Sequence, residues 1–365
     1  MKVSIVNFYG KGGMLYYAVA LANALVAKCD VTLALPRKPQ RAYRGISSGV
    51  RLLEVMVPED FTRRNILKTP LYAALYPMLV AQIRGERPDI VHFTNENIWL
   101  VGLLPFLNRQ RLVWTLHDPI PHLGDSLRKK ISTRILGRCS ARIFVHYQYN
   151  LAMAAQNGFE PKKLVAIPHG AYDFYEKYLK PGVQQRRMFL FWGRIRPYKG
   201  VETLIHAAKF LPQDVEIVIA GEGAGKYRDA AGDDGRIVLM DKFLADEEIA
   251  ELCQQSMAVV TPYVEATQSG IVSVAYACSR PVIATKVGAL PEQVEDHRTG
   301  LLVEPQNPRE LADAMMKILE NPSWAQSMGA AGYRKNKTDM SWESVAHTVY
   351  SVYEEIVGLD FEAAG

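Results

Sequence analysis

The chain carries one turn crowded with cations, Gly193-Arg194-Ile195-Arg196-Pro197-Tyr198-Lys199-Gly200, between an apolar run and a helix-like stretch. A turn in that position aims backbone N–H groups and the positive helix end at whatever occupies it. Arg194 offers a planar fork for phosphate oxygens and Lys199 a point charge, while Gly193 permits close backbone approach. Arg196 is the weakest of the three charges. The pattern reads as an anion site; a solvated turn with surface charges is the alternative.

A second glycine turn, Tyr9-Gly10-Lys11-Gly12-Gly13-Met14, follows the first apolar run. Gly12 and Gly13 allow a ligand near the backbone, although the spacing is neither G-x-G-x-x-G nor a Walker pattern. One such loop in each of two domains, facing one cleft, would suit a diphosphate. In WTLHDPIPH, His117 and Asp118 fall at a strand end, where doubly wound folds place ligands; His122 reads as structural. In HFTNENIW, Asn95 or Glu96 touches a polar substrate or serves ordinary loop hydrogen bonds. In PYVEATQSG, Glu265 is a loop acid, and the amides of Gln268, Ser269 and Gly270 are candidates for an oxyanion-type pocket.

Alternating segments must position these loops. Short apolar runs at 3–8, 31–35, 89–93, 112–116, 143–145 and 164–167 alternate with helical spacing and predict βαβ units with a parallel sheet. Residues 178–187, polar with a Pro-Gly, read as a linker. The alternation restarts at 189–192 and continues through strands 215–220, 237–240, 258–262 and 281–285. Two doubly wound domains follow, 1–177 and 188–340. Residues 341–357 form a last helix with one apolar stripe, Val345, Val349, Val352, Tyr353 and Ile356.

A length of 365 residues favours two domains. With 48% hydrophobic and 22% charged residues, the composition is that of an ordinary soluble protein. The net charge of +5 permits an acidic ligand or an anionic surface, and without basic blocks no nucleic-acid partner is expected. The four cysteines form no CxxC and read as buried reduced thiols. The opening residues become strand and loop too soon for a signal peptide, and no apolar run suits a membrane span, so a cytoplasmic protein is expected.

Together GRIRPYKGVETLI, IAGEG, ACSRPVIATKVGALPEQVEDHRTGLLVEP and SWESVAHTVYSVYEEIV, supported by GKGGM and TLHD, resemble family 4 of the glycosyltransferases. The resemblance covers most of the chain. It implies an α/β GT-B fold, retention of configuration at the transferred sugar, a nucleotide-sugar donor held mainly by the second domain, and no metal or other cofactor. Under it Arg194 and Lys199 hold the donor diphosphate, Gly13 lies close to that diphosphate, and His117 lies near the transferred sugar. The last helix would cross back to the first domain. The family's two glutamates with seven residues between them are not matched: their slots fall at Ala266 and Val274, and Glu265 fills the first only with a one-residue shift. Relatives with an EATQSG-type block make this a subgroup feature.

The acceptor is left open between a saccharide and, on a membrane reading of residues 61–84, a lipid-linked saccharide, in surface polysaccharide or glycoconjugate biosynthesis. Residues 61–84, apolar with Arg63, Arg64, Lys68 and Arg84, suit peripheral contact with an anionic membrane at its inner face; a core helix with basic ends is the other reading. A non-catalytic GT-B binding protein and a sugar-nucleotide epimerase are the competing functions. A phosphorylase lacks a marked pyridoxal lysine, and a nicotinamide dehydrogenase lacks its glycine fingerprint.

Overall fold

The computed structural model describes residues 1–10, 12–37, 45–57, 69–120 and 127–363. The chain divides into two compact units, Met1–Pro168 with Trp342–Gly365, and His169–Ser341. In the first unit β1 (Lys2–Val6), β2 (Asp30–Pro36), β3 (Arg51–Val55), β4 (Ile90–Phe93), β5 (Leu112–Leu116), β6 (Arg142–His146) and β7 (Leu164–Ile167) form a parallel sheet in the order β3-β2-β1-β4-β5-β6-β7. In the second, β8 (Met188–Trp192), β9 (Glu216–Ala220), β10 (Ile237–Met240), β11 (Ala258–Thr261), β12 (Val282–Thr285) and β13 (Gly300–Val303) run in the order β10-β9-β8-β11-β12-β13. These are the two doubly wound, Rossmann-like α/β sheets that the alternation predicts, and they agree with the GT-B fold that the resemblance implies.

Burial on both faces explains the composition of the central strands. Every residue of β4, β5, β8 and β11 is buried, so these strands read as continuous apolar runs rather than alternating ones. Two strands escape the sequence reading. The edge strand β3, RLLEV, is mostly solvent-facing, and its charged residues hide its nature. The second, β13, is a short edge strand of the second unit's sheet and pairs with β12.

Residues 178–187, expected as a linker, belong to the second unit, as do residues 169–177. Hydrogen bonds stitch the segment to the helix Asp246–Gln255 and its end. Lys180 N–H donates to Gln254 Oε1 (3.0 Å) and Gln185 Nε2 to the Ser256 carbonyl (3.0 Å). The first boundary therefore lies at Pro168, ahead of the polar stretch. The last helix, Trp342–Ala363, packs Val345, Ala346, Val349, Val352, Tyr353 and Ile356 into the first unit's core beside the helix Gly12–Leu25. Within that core His92 bridges Thr115 Oγ1 (Nε2, 2.7 Å) and Tyr353 Oη (Nδ1, 2.5 Å). Burial lowers its pKa from 6.5 to about 3, so it is neutral. Cys253 and Cys278 are buried thiols, whereas Cys29 and Cys139 are only half-buried.

Candidate active site

A doubly wound sheet binds ligands at the carboxyl ends of its strands where the strand order reverses. In the second unit that point lies between β8 and β11. The cationic turn leaves β8, and PYVEATQSG leaves β11. Gly200 lets the two loops touch: its φ is +65°, and a Cβ there would lie 1.8 Å from the Pro262 carbonyl oxygen. The Val264 amide then donates to the Tyr198 carbonyl at 2.8 Å.

Lys199 is held in place. Its ammonium donates to Tyr263 Oη at 2.7 Å and lies 3.9 Å from that ring's centroid, so hydrogen bond and cation–π attraction act together. Tyr263 Oη in turn bonds Ser269 Oγ at 3.0 Å, and Tyr263 is fully buried. Arg194 and Arg196 are exposed. Gly193 has φ +121°, a conformation favouring glycine. The turn thus presents one pre-set cation, Lys199, and two exposed ones, Arg194 and Arg196.

The β11 loop only partly matches the sequence reading. The Ser269 amide does not line an oxyanion-type pocket, because it donates to Gln293 Oε1 (2.8 Å) while Gln293 Nε2 donates back to the Ser269 carbonyl (2.9 Å). Gly270 opens the helix Gly270–Ala277 beneath the Tyr172 ring; a Cβ there would lie 2.9 Å from Tyr172 Cε2. Gln268 Oε1 is buried without a hydrogen-bond partner, and Glu265 is exposed. Tyr263, Gln293 and Tyr172 were not singled out from the sequence. An aromatic at a strand end and a glutamine in a short helix carry no signal separating them from core.

In the first unit the order reverses between β1 and β4. Gly12 and Gly13 are exposed at the start of the helix Gly12–Leu25, and Gly12 has φ +69°. Asn95, fully buried, accepts the Phe8 amide on Oδ1 at 3.3 Å and so ties the β4 edge to the β1 loop. His117, only 1% exposed, donates Nε2–H to the Thr94 carbonyl (3.0 Å). Its Nδ1 therefore accepts from His146 Nε2 at 2.9 Å. Both ring nitrogens of His117 are engaged inside this unit, and burial lowers its pKa to about 4. Asp118 lies 3.8 Å and Glu96 3.4 Å from Lys129 Nζ. Burial raises the Glu96 pKa, with Lys129 opposing. Lys11, His122, Arg63, Arg64 and Lys68 lie outside the described residues.

Residues 11–193 match Glycosyltransferase Family 4 and residues 186–321 match Glycosyl transferases group 1. A D-inositol 3-phosphate glycosyltransferase of Corynebacterium efficiens is 32% identical over 94% of this chain and 90% of its own. Another, from Nocardioides sp., is 26% identical over 94% and 85%. Among solved structures, Anabaena HepE in complex with UDP-glucose superposes with a TM-score of 0.75 at 17% identity, covering 97% of this chain and all of that one. With a family match across half its length and a relative this similar along nearly all of it, the chain belongs to glycosyltransferase family 4.

Proposed function

We propose that the protein transfers a sugar from a nucleoside diphosphate donor to a saccharide or lipid-linked saccharide acceptor, with retention of configuration. The observation that carries this reading is the pre-set Lys199, on the turn that also carries Arg194, at the second unit's switch point. The sugar C1–oxygen bond to the diphosphate breaks, the acceptor oxygen bonds C1 on the same face, and the acceptor proton passes to the departing diphosphate. Charge grows on that leaving group, so preorganised cations are the main requirement and no bound metal is invoked. Gly193 gives the diphosphate close backbone approach, and Gln268 supplies an unpaired carbonyl oxygen. Gly12 and Gly13 are assigned to the donor, and His117, neutral and tied at both nitrogens, shapes the first unit's crevice rather than titrating.

Val274, 5% exposed, stands at the slot of the second family glutamate, so ribose recognition falls to other groups in this EATQSG-type variant. HepE, crystallised with UDP-glucose, makes UDP-sugars the first donors to test.

A surface-polysaccharide role at the inner membrane face is the setting we favour. Its support is the helix Thr69–Gly85, which leaves Met78 and Arg84 exposed. Among the described residues no helix is long and apolar enough to cross a membrane. Vesicle co-sedimentation insensitive to charge reversal at Arg63, Arg64, Lys68 and Arg84 would remove that setting.

The donor is tested by thermal shift with UDP-, GDP- and ADP-sugars on wild type and Arg194→Ala. A ligand that binds the folded state raises its melting point. One nucleotide class should raise it in the wild type and not in the variant. No shift with any class would sink the donor assignment.

A further inference from the structure

Immediately after β4, at the first unit's point of strand-order reversal, stand three consecutive residues with unanswered polar atoms. Thr94 Oγ1, Asn95 Nδ2 and Glu96 Oε2 are buried without hydrogen-bond partners, and the residues are 0%, 0% and 8% exposed. Buried polar atoms are nearly always paired, so three in a row at a topological switch point mark groups that pair with a ligand.

Their orientations are fixed by neighbours. Asn95 Oδ1 accepts from Phe8, which leaves Nδ2 as a donor. Glu96 Oε1 faces Lys129 at 3.4 Å, which leaves Oε2 as an acceptor. The Thr94 carbonyl is taken by His117, while its hydroxyl, both donor and acceptor, is not.

We infer that Thr94, Asn95 and Glu96 form the acceptor subsite and take adjacent uncharged hydroxyls of a sugar or cyclitol, not a phosphate. Vicinal hydroxyls each give and accept a hydrogen bond and so match a hydroxyl, an amide donor and a carboxylate in sequence. A phosphate dianion has no proton for Glu96 and is repelled by it and by Asp118. Lys129 is already shared between those two carboxylates, at 3.4 and 3.8 Å. The inference rests on the glycosyl-transfer reading and separates this chain from relatives named for inositol 3-phosphate.

Ligand-observed NMR titration of the whole chain, with glucose, myo-inositol and their monophosphates as probes, tests it. The parent polyols should bind at least about tenfold tighter than the monophosphates, the weight of one charge-assisted contact. Glu96→Gln, nearly isosteric, should largely erase that preference, whereas Asn95→Ala should weaken polyols about tenfold without altering it. A circular-dichroism melt of each variant separates lost binding from lost folding. Monophosphates binding as well as polyols, a preference unchanged in folded Glu96→Gln, or no polyol binding would overturn the subsite. Because UDP-sugar shifts that depend on Arg194 report the second unit alone, failure there with polyol binding intact would remove the donor reading instead.

Discussion

The two units share a strand order around the reversal and differ in what the flanking loops bring to it. Beside β8 and β11 the crevice is cationic and outward: Arg194 and Arg196 are exposed, and Lys199 rests on a buried tyrosine. Beside β1 and β4 it is buried, with a neutral His117 and the Thr94–Asn95–Glu96 edge, where Glu96 and Asp118 share Lys129. On the proposed function, one topology hosts a place for an anion that must leave and a place for hydroxyls that must be oriented. Fold alone does not choose between these; the loop residues do.

The sharpest way to break this contrast is to remove a cation from the second unit. Lys199→Ala or Arg194→Ala should lower kcat by about 10²–10³, the usual loss for one preorganised charge-stabilising group. Both side chains lie on a turn rather than in the core, so the melting temperature should stay near the wild-type value. A well-folded variant with near-normal turnover would show that the basic turn is not the leaving-group site.

The next largest effect belongs to the first unit and to acid. His92 and His117 have folded pKa values of about 3 and about 4, below an unfolded value near 6.5. As pH falls below 6.5, the unfolded chain takes up protons that the folded unit refuses, so stability drops until the folded pKa values are reached. Each histidine contributes a slope of up to about 1.4 kcal/mol per pH unit. Glu96, whose pKa is raised, acts in the opposite sense as it protonates, but it is one group against two. Urea unfolding followed by hydrogen exchange at pH 7 and pH 5 should show residues 1–168 losing protection before residues 188–340. Equal loss in both would mean the buried histidines do not set the acid limit.

Tyr263→Phe probes how the second unit presents its cation. The ring and its cation–π contact remain, but Lys199 loses the oxygen 2.7 Å away and Ser269 loses its phenol partner. Freed from that anchor, the ammonium samples other rotamers, and kcat should fall by about tenfold, the scale of one hydrogen bond to a charge. A purely structural role would lower the melting temperature and leave kcat alone.

What could be read from the sequence follows from how local each signal is. Arg194, Lys199, Gly12 and Gly13 were singled out because charge and glycine cluster after an apolar run, and the structure places them on the segments that leave β8 and β1 at the points where the strand order reverses. The central strands were readable because burial on both faces makes them uniformly apolar. Tyr263 and Gln293 were not, since their roles depend on partners six and twenty-four residues away from or at Ser269. The segment 178–187 looked like a linker by composition, yet its hydrogen bonds to residues 254–256 place it in the second unit. His117 was found by position, but its engagement with His146 arises from strands β5 and β6 lying side by side.

The smallest effect sharpens the contrast within the first unit's core. Tyr353, on the last helix, gives His92 Nδ1 its partner and is fully buried. Tyr353→Phe keeps the ring packed against the first sheet and strands that nitrogen without a hydrogen bond, at a cost of about 1–3 kcal/mol. The residue touches neither crevice, so kcat with saturating substrates should hold while the melting temperature falls. Hydrogen exchange should locate the loss in residues 1–168 and the last helix, leaving β8 to β13 protected as before. Loss spread equally over β8 to β13 would show instead that the two units unfold as one, and that the last helix stabilises the whole chain rather than the unit whose core it completes.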